Sequence, residues 1–158
     1  MAEATDGGQR QQCVALDTSV LLNFLKVDRL DLLVDLPGHA FLVTDHVRRE
    51  VTEPIHASAL GAALAESKLH EVRVDDPEEL ATFGLLARTN VLGVGECAAL
   101  ALATGRGFVA AIDDKVARKK ATTLLGFGRY LGTADLMVIA IRGGLIGVEA
   151  ADEVNRLW

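Results

Sequence analysis

Apolar residues along the chain follow two different spacings. Short apolar runs bounded by glycine or by charged residues are typical of buried strands in a parallel sheet. The strands predicted in this way cover residues 13–16, 40–43, 107–112 and 127–131. Residues 69–74 instead alternate between apolar and polar side chains, as an edge strand or a half-exposed strand does.

Between these runs, apolar residues recur every three or four positions, which predicts amphipathic helices. Some of these helices begin at favourable residues: Asp28 as a capping residue, Pro54 in a first turn, and Asp76 in a capping box. The predicted helices cover residues 18–25, 28–36, 45–53, 54–68, 76–89, 92–105, 133–142 and 148–158, with a basic helix from Lys115. The alternation of strands and helices predicts a three-layer α/β/α fold, with a central parallel sheet of four or five strands.

A length of 158 residues is sufficient for one domain with a buried core. We expect this domain to span residues 13–158, and the polar residues 1–12 to form a flexible tail. The sequence contains no apolar segment typical of a signal peptide, and no apolar run of the ~20 residues that cross a membrane. Cys13 and Cys97 form no CxxC pair, which favours buried thiols in a reducing compartment. A cytoplasmic protein is therefore expected.

Composition restricts the classes of function. The net charge of −6 argues against a general nucleic-acid coating protein, which would be basic. Aromatic residues make up only 4% of the chain, so base stacking is not expected to be a major means of binding single strands. An excess of acids is compatible instead with a site whose negative charge is neutralised by a metal ion.

Acidic residues follow several predicted strands or begin predicted helices. They are Asp17, Glu50, Glu96, Asp113, Asp114 and Asp135. Because the carboxyl ends of parallel strands meet at one edge of a sheet, these carboxylates can converge there. Taken singly, an acid at a helix start is more simply a capping residue. Several together, without histidine or cysteine, favour a site for Mg²⁺ or Mn²⁺.

Helix capping does not fully explain three of these acids. Glu50 is predicted to lie well inside its helix, whereas Glu96 and Asp135 are embedded in otherwise apolar helices, where an unpaired charge is costly. The four histidines are expected in loops or on the surface, away from the acidic segments; they are His39, His46, His56 and His70.

A run of basic residues follows the two adjacent acids, and it consists of Lys115, Arg118, Lys119 and Lys120. A solvated helix face is the simplest interpretation of this run. Because the run lies beside the acids, a second interpretation is that Lys115, Arg118 and Lys119 contact the phosphates of a nucleic acid.

Five segments together resemble the motifs of the PIN domain, a family of metal-dependent nucleases that includes VapC-type toxins. The segments are Val14–Leu21, Val47–Val51, Gly95–Ala103, Ile112–Arg118 and Gly132–Leu136. Each segment is a weak signal alone, whereas their order and spacing are fairly specific. The chain departs from many relatives where it carries Ile112-Asp113-Asp114 in place of Thr-x-Asp, and it has a long insertion at 54–76.

The resemblance implies a PIN-like fold and a carboxylate site for one or two Mg²⁺ or Mn²⁺ ions that hydrolyses RNA phosphodiester bonds. The metal-site acids implied by position are Asp17, Glu96, Asp113 or Asp114, and Asp135, with Glu50 as a further acid. The hydroxyls implied to support these ligands belong to Thr18, Ser19 and Thr133. A VapC-type toxin would also bind an antitoxin protein and form a homodimer.

Two other classes of function remain open at this point. A catalytically silent PIN-like domain would keep the fold and only bind partners. A phosphoacceptor signalling domain also uses acids and Mg²⁺ at strand ends, but its acid pair follows the first strand. In this chain the pair Asp113-Asp114 comes late, which disfavours that class.

Overall fold

The computed structural model describes residues 10–158, which form a five-stranded sheet and nine helices. The strands are β1 (Gln12–Leu16), β2 (His39–Thr44), β3 (His70–Val72), β4 (Val109–Ala111) and β5 (Tyr130–Leu131). The helices are α1 (Thr18–Lys26), α2 (Asp31–Val34), α3 (Asp45–Glu50), α4 (Pro54–Ala65), α5 (Pro77–Ala87), α6 (Val94–Arg106), α7 (Lys115–Leu125), α8 (Thr133–Arg142) and α9 (Val148–Asn155). Most of the expected tail lies outside the described residues, and its last residue, Gln12, already belongs to β1.

All strand pairs are parallel, in the order β3-β2-β1-β4-β5. The central strand is β1, in which Val14 pairs with Phe41 of β2 on one side and with Val109 of β4 on the other. The third strand lies at an edge of the sheet, as its alternating pattern allowed. Phosphoacceptor signalling domains have the flavodoxin-like strand order 2-1-3-4-5. The observed order is different, so the structure contradicts the phosphoacceptor alternative.

Alternate residues of β1 face two separate hydrophobic cores. Val14 and Leu16 pack in a core with α1, α2, α4, α8 and α9, whereas Ala15 faces a second core built from α5, α6 and α7. On the second side, residues 97–103 of α6 are all buried, and their small side chains let the helix approach the sheet closely. The three-layer α/β/α fold is therefore confirmed.

The structure corrects several predicted helix boundaries. Asp28 does not cap a helix; it adopts a left-handed φ of 54°, because the chain must reverse direction where α1 ends and Arg29 N donates to Phe24 O at 2.9 Å. The last helix ends at Asn155 and not at Trp158. Helix α3 ends at Glu50, so Glu50 lies at a helix end and not inside a helix.

The parallel sheet brings the beginnings of five helices to one side of the molecule. Strands β1, β2, β4 and β5 lead into α1, α3, α7 and α8, and α6 runs back from the same side to the start of β4. We call this side the carboxyl edge. No helix within residues 10–158 is both long enough and apolar enough to cross a membrane.

Candidate active site

Asp17 is a buried carboxylate at the end of the central strand β1. Asp17 is only 2% exposed, and two hydrogen bonds compensate in part for the loss of hydration of its carboxylate. Thr18 N donates to Oδ1 at 2.6 Å, and Ser19 Oγ donates to Oδ2 at 2.7 Å. Burial raises the pKa of Asp17, and the charge of Glu50 raises it further. The carboxylate is thus held in place at an energetic cost to its charged form.

Glu96 lies in the first turn of α6, where its carboxylate accepts a hydrogen bond from Gly93 N at 3.4 Å. Its pKa is raised to about 7, first by burial and then by the negative charges of Asp17, Asp114 and Glu50. Three acids from three other segments therefore lie within electrostatic range of Glu96. We refer to Asp17, Glu50, Glu96 and Asp114 as the acidic cluster.

Gly95 is the point at which α6 meets α1 and α3. A Cβ atom at this position would lie 2.4 Å from Thr18 Oγ1 and 3.0 Å from Glu50 Oε1. Thr18 Oγ1 is buried and has no hydrogen-bond partner among the described residues. Only glycine leaves room for these two oxygens beside the acidic cluster.

The two adjacent aspartates have different environments. Asp114 caps α7, where Oδ2 accepts a hydrogen bond from Ala117 N at 2.9 Å. It is exposed, and its charge contributes to the raised pKa of Glu96. Of the pair, Asp114 is therefore the member that belongs to the acidic cluster.

Asp113 is instead held by neighbouring protein groups. Its Oδ1 accepts from Thr133 N at 2.7 Å, and its Oδ2 accepts from Thr133 Oγ1 at 2.5 Å and from Asn23 Nδ2 at 3.1 Å. Arg118 lies 3.6 Å from Oδ1. Asn23 was not among the predicted site residues. Its sequence signal was its position as a polar residue within the apolar helix α1.

Asp135 begins α8 at the carboxyl edge and is exposed. Its carboxylate accepts a hydrogen bond from Gly132 N at 2.7 Å, as a helix-capping residue does. Thr133 links the start of α8 to Asp113, so Asp135 and the two adjacent aspartates follow neighbouring strands at the same edge.

Four of the predicted acids have the helix-capping role that the sequence allowed. Asp17, Glu96, Asp114 and Asp135 each accept a hydrogen bond from a backbone N–H at a helix start. Within residues 10–158, no three His, Cys, Asp or Glu side chains are grouped closely enough to form a ready-made metal site. The all-oxygen donors, their mutual repulsion and the unpaired hydroxyl of Thr18 fit a hard divalent cation such as Mg²⁺ or Mn²⁺.

The basic residues of α7 divide into two groups. Lys115 and Lys119 are exposed and are free to meet solvent or a ligand. Arg118 is half-buried: its Nε donates to Ile112 O at 3.0 Å, and its guanidinium lies 5.7 Å from the ring centre of Tyr130. These contacts give Arg118 a structural role at the end of β4.

His46 lies close to the acidic cluster, and the expectation that all four histidines lie away from the acids is wrong for it. It precedes Glu50 by four residues on α3, so both side chains share one face of the helix. Together with Arg49 and Val94 they line a shallow surface depression of about 430 Å³. The i, i+4 spacing was the sequence signal for this arrangement.

A family model described as "DUF3368: PIN domain" matches residues 13–157. The chain therefore belongs to the PIN domain family, as its motifs implied, and proteins of this family are generally nucleases. A search of curated proteins finds no significant match.

Comparison with solved structures supports the same fold. The structure of VapBC2 from Rickettsia felis bound to a DNA fragment from its promoter is similar with a TM-score of 0.51 at 12% identity, covering 77% of this chain and 97% of that one. PAE2754 from Pyrobaculum aerophilum also has a TM-score of 0.51 at 12% identity, covering 90% of this chain and 95% of that one. At this level of identity the similarity concerns the fold.

Proposed function

We propose that this chain is a metal-dependent endoribonuclease. The observation that carries the proposal is the acidic cluster, in which burial and three neighbouring charges raise the pKa of Glu96 to about 7. Such repulsion is costly for the fold, and a divalent cation would remove it. Membership of the PIN domain family supports a nuclease.

Each residue of the site then has a role. Asp17, Glu96 and Asp114 would hold one or two Mg²⁺ or Mn²⁺ ions, and Asp135 would bind or orient water. A bound ion of this kind lowers the pKa of water and stabilises negative charge on phosphate. Ser19 fixes Asp17 through its hydroxyl, and Thr133 fixes Asp113.

The proposed reaction is an in-line hydrolysis. A water oxygen attacks phosphorus while its proton passes to a carboxylate of the acidic cluster. The bond between phosphorus and the 3′ oxygen breaks, and the departing oxygen takes a proton from solvent. The products carry a 5′-phosphate and a 3′-hydroxyl. Lys115 and Lys119, which are exposed beside Asp114, would hold flanking phosphates.

The substitution Asp17→Asn tests this proposal. Wild-type protein should cleave a mixed RNA pool with Mn²⁺ but not with chelator, and the mapped ends should be 5′-phosphates. The Asp17 variant should lose this activity yet remain folded. Asparagine is nearly the same size as aspartate, and the substitution removes a buried charge. Asp31→Asn is the matched control, since Asp31 only pairs with Arg29 on the surface. Cleavage by the Asp17 variant at the wild-type rate would refute the proposed site.

A catalytically silent, partner-binding PIN-like domain is the second candidate. It is favoured by the finding that residues 10–158 contain no ready-made group of three metal ligands. Isothermal titration with Mg²⁺ and Mn²⁺ separates the two candidates. Binding that Asp17→Asn abolishes supports the nuclease, and no binding to the wild-type protein supports the silent domain.

We also propose that the chain is the toxin of a VapBC-type pair, with an antitoxin partner and a homodimeric state. This proposal is supported by the family and by the fold shared with the VapBC2 complex. Growth arrest on expression, relieved by co-expressing the neighbouring gene, tests the toxin role. Sedimentation of the purified protein tests the dimer.

A further inference from the structure

We propose that the depression lined by His46, Arg49, Glu50 and Val94 binds one nucleoside of the RNA, close to the cleaved phosphate. We call it the His46 depression. The inference rests on the proposed function, because it assigns part of the RNA-binding surface of that site. It adds a base-contacting residue that the acidic cluster does not provide.

The position of the depression follows from Glu50. This residue forms part of its wall, and its charge also raises the pKa values of Asp17 and Glu96. The depression therefore adjoins the acidic cluster, on the side where α3 and α6 begin. A strand bound at the cluster would pass over it within one or two nucleotides.

The ring of His46 is held in a defined orientation. Its Nδ1 lies 3.3 Å from Asp45 Oδ1, and both atoms are buried without a hydrogen-bond partner among the described residues. The side chain as a whole is 24% exposed, so other atoms of the side chain provide the exposed surface. Arg49 binds the other carboxylate oxygen of Asp45 at 2.5 Å, which fixes Asp45 in turn.

Phe83 of α5 supports the imidazole from behind. The two ring centres are 4.9 Å apart with an angle of 32° between the planes. A flat ring that is immobilised in this way offers a surface for stacking, and stacking suits any nucleobase. Because Nδ1 faces the carboxylate of Asp45, Nε2 is the ring nitrogen left for a hydrogen bond with a base.

The rim of the depression suits the rest of a nucleotide. Val94 is 53% exposed and provides an apolar contact at the start of α6. The side chain of Arg49 is 69% exposed, and its guanidinium can meet a backbone phosphate while it stays near Asp45. A volume of about 430 Å³ accommodates a nucleoside.

Binding of nucleotides can be measured without cleavage. We would titrate AMP, CMP, GMP and UMP separately into the wild-type protein and follow the ring signals of His46 and Phe83 by NMR. Ribose 5-phosphate is the control, because it carries the phosphate without a base. Shifts of both rings with at least one nucleotide and not with the control support the subsite. If no nucleotide shifts them more than the control does, the inference is overturned, whether or not the protein cleaves RNA.

Cleavage kinetics provide the second measurement. Because a stacked base contributes to binding, His46→Ala should raise KM for RNA about 10-fold and weaken the base preference at one position near the cut. His46→Phe keeps a ring against Phe83 and should restore much of the binding. His70→Ala is the control, because His70 is exposed at the start of β3 and does not line the His46 depression.

The outcomes separate the two proposals. If the wild-type protein cleaves RNA and His46→Ala keeps its KM and base preference, the subsite is wrong and the nuclease stands. If the wild-type protein does not cleave RNA, the nuclease is wrong, and the nucleotide titration still decides whether the depression binds a base.

Discussion

The close approach of three helices at Gly95 allows a sharp test of how the site is assembled. In Gly95→Ala, the new Cβ would lie 2.4 Å from Thr18 Oγ1 and 3.0 Å from Glu50 Oε1. Thr18 is buried, and rotation about its χ1 would bring its methyl group or hydrogen into the same space. The backbone of α6 or of α1 must therefore shift, and Glu50 Oε1 must also move by a few tenths of an ångström.

The size of the effect follows from two opposing contributions. An extra methyl group in a well-packed region costs about 1–3 kcal/mol, whereas alanine in place of glycine inside a helix gains up to about 1 kcal/mol. With the full gain from alanine, we expect Gly95→Ala to lower the free energy of unfolding by about 0–2 kcal/mol, which lowers Tm by up to about 8 °C. Gly61 of α4 is the matched control, because a Cβ there meets no atom within 4 Å. Gly61→Ala should raise the free energy of unfolding by about 0.5–1 kcal/mol.

Urea unfolding of both variants measures these changes. The double variant Thr18→Ala/Gly95→Ala identifies the clash, because removal of Oγ1 should recover at least about 0.5 kcal/mol relative to additivity. Cleavage by Gly95→Ala should fall even where the protein is fully folded, since Glu50 is displaced. The proposed packing is refuted if Gly95→Ala is as stable as Gly61→Ala, or if the two substitutions in the double variant are simply additive.

Further predictions concern the charges and the hydrogen bonds of the site. Without divalent ions, the fold should lose stability as pH rises from 4.5 towards 7, because folded Glu96 retains a proton that the unfolded chain has released. Urea unfolding of Glu96→Gln should show a smaller loss, and an identical loss would contradict this assignment. Asn23→Ala removes a donor to Asp113 and should lower the free energy of unfolding by ~1–2 kcal/mol. Asn23→Asp places a second negative charge beside Asp113 and should reduce cleavage more than Asn23→Ala does. Trp158, the only tryptophan, donates to Asn23 O at 2.8 Å, so its fluorescence should change on Mg²⁺ binding; a constant signal at saturation would count against coupling through Asn23.

Much of the fold follows from periodicity that can be read locally. The apolar run that ends before Asp113 and the similar run before Asp17 predict parallel strands, and parallel strands place the residues at their carboxyl ends along one edge. The placement of Asp17 and the aspartate pair at the carboxyl edge was therefore predictable. Helix ends were less predictable, because they depend on how the chain must turn in order to pack. The left-handed turn at Asp28 is an example.

The distinct roles of Asp113 and Asp114 could not be predicted from sequence. Adjacent side chains at a strand end point in different directions, and both residues are equally suited to bind metal or to cap a helix. Only the packed structure brings Asn23 and Thr133 to Asp113 and leaves Asp114 beside Glu96.

The sequence by itself determined that acids from several segments would meet at one edge of a parallel sheet, since strand direction and chain order suffice for that conclusion. Tertiary structure alone decided which of them interact, why a side chain at position 95 is costly, and that His46 joins Glu50 beside the cluster. The physical reason is that strand and helix periods are local properties. The distance between α1, α3 and α6 instead depends on how residues far apart in the chain fill a common core.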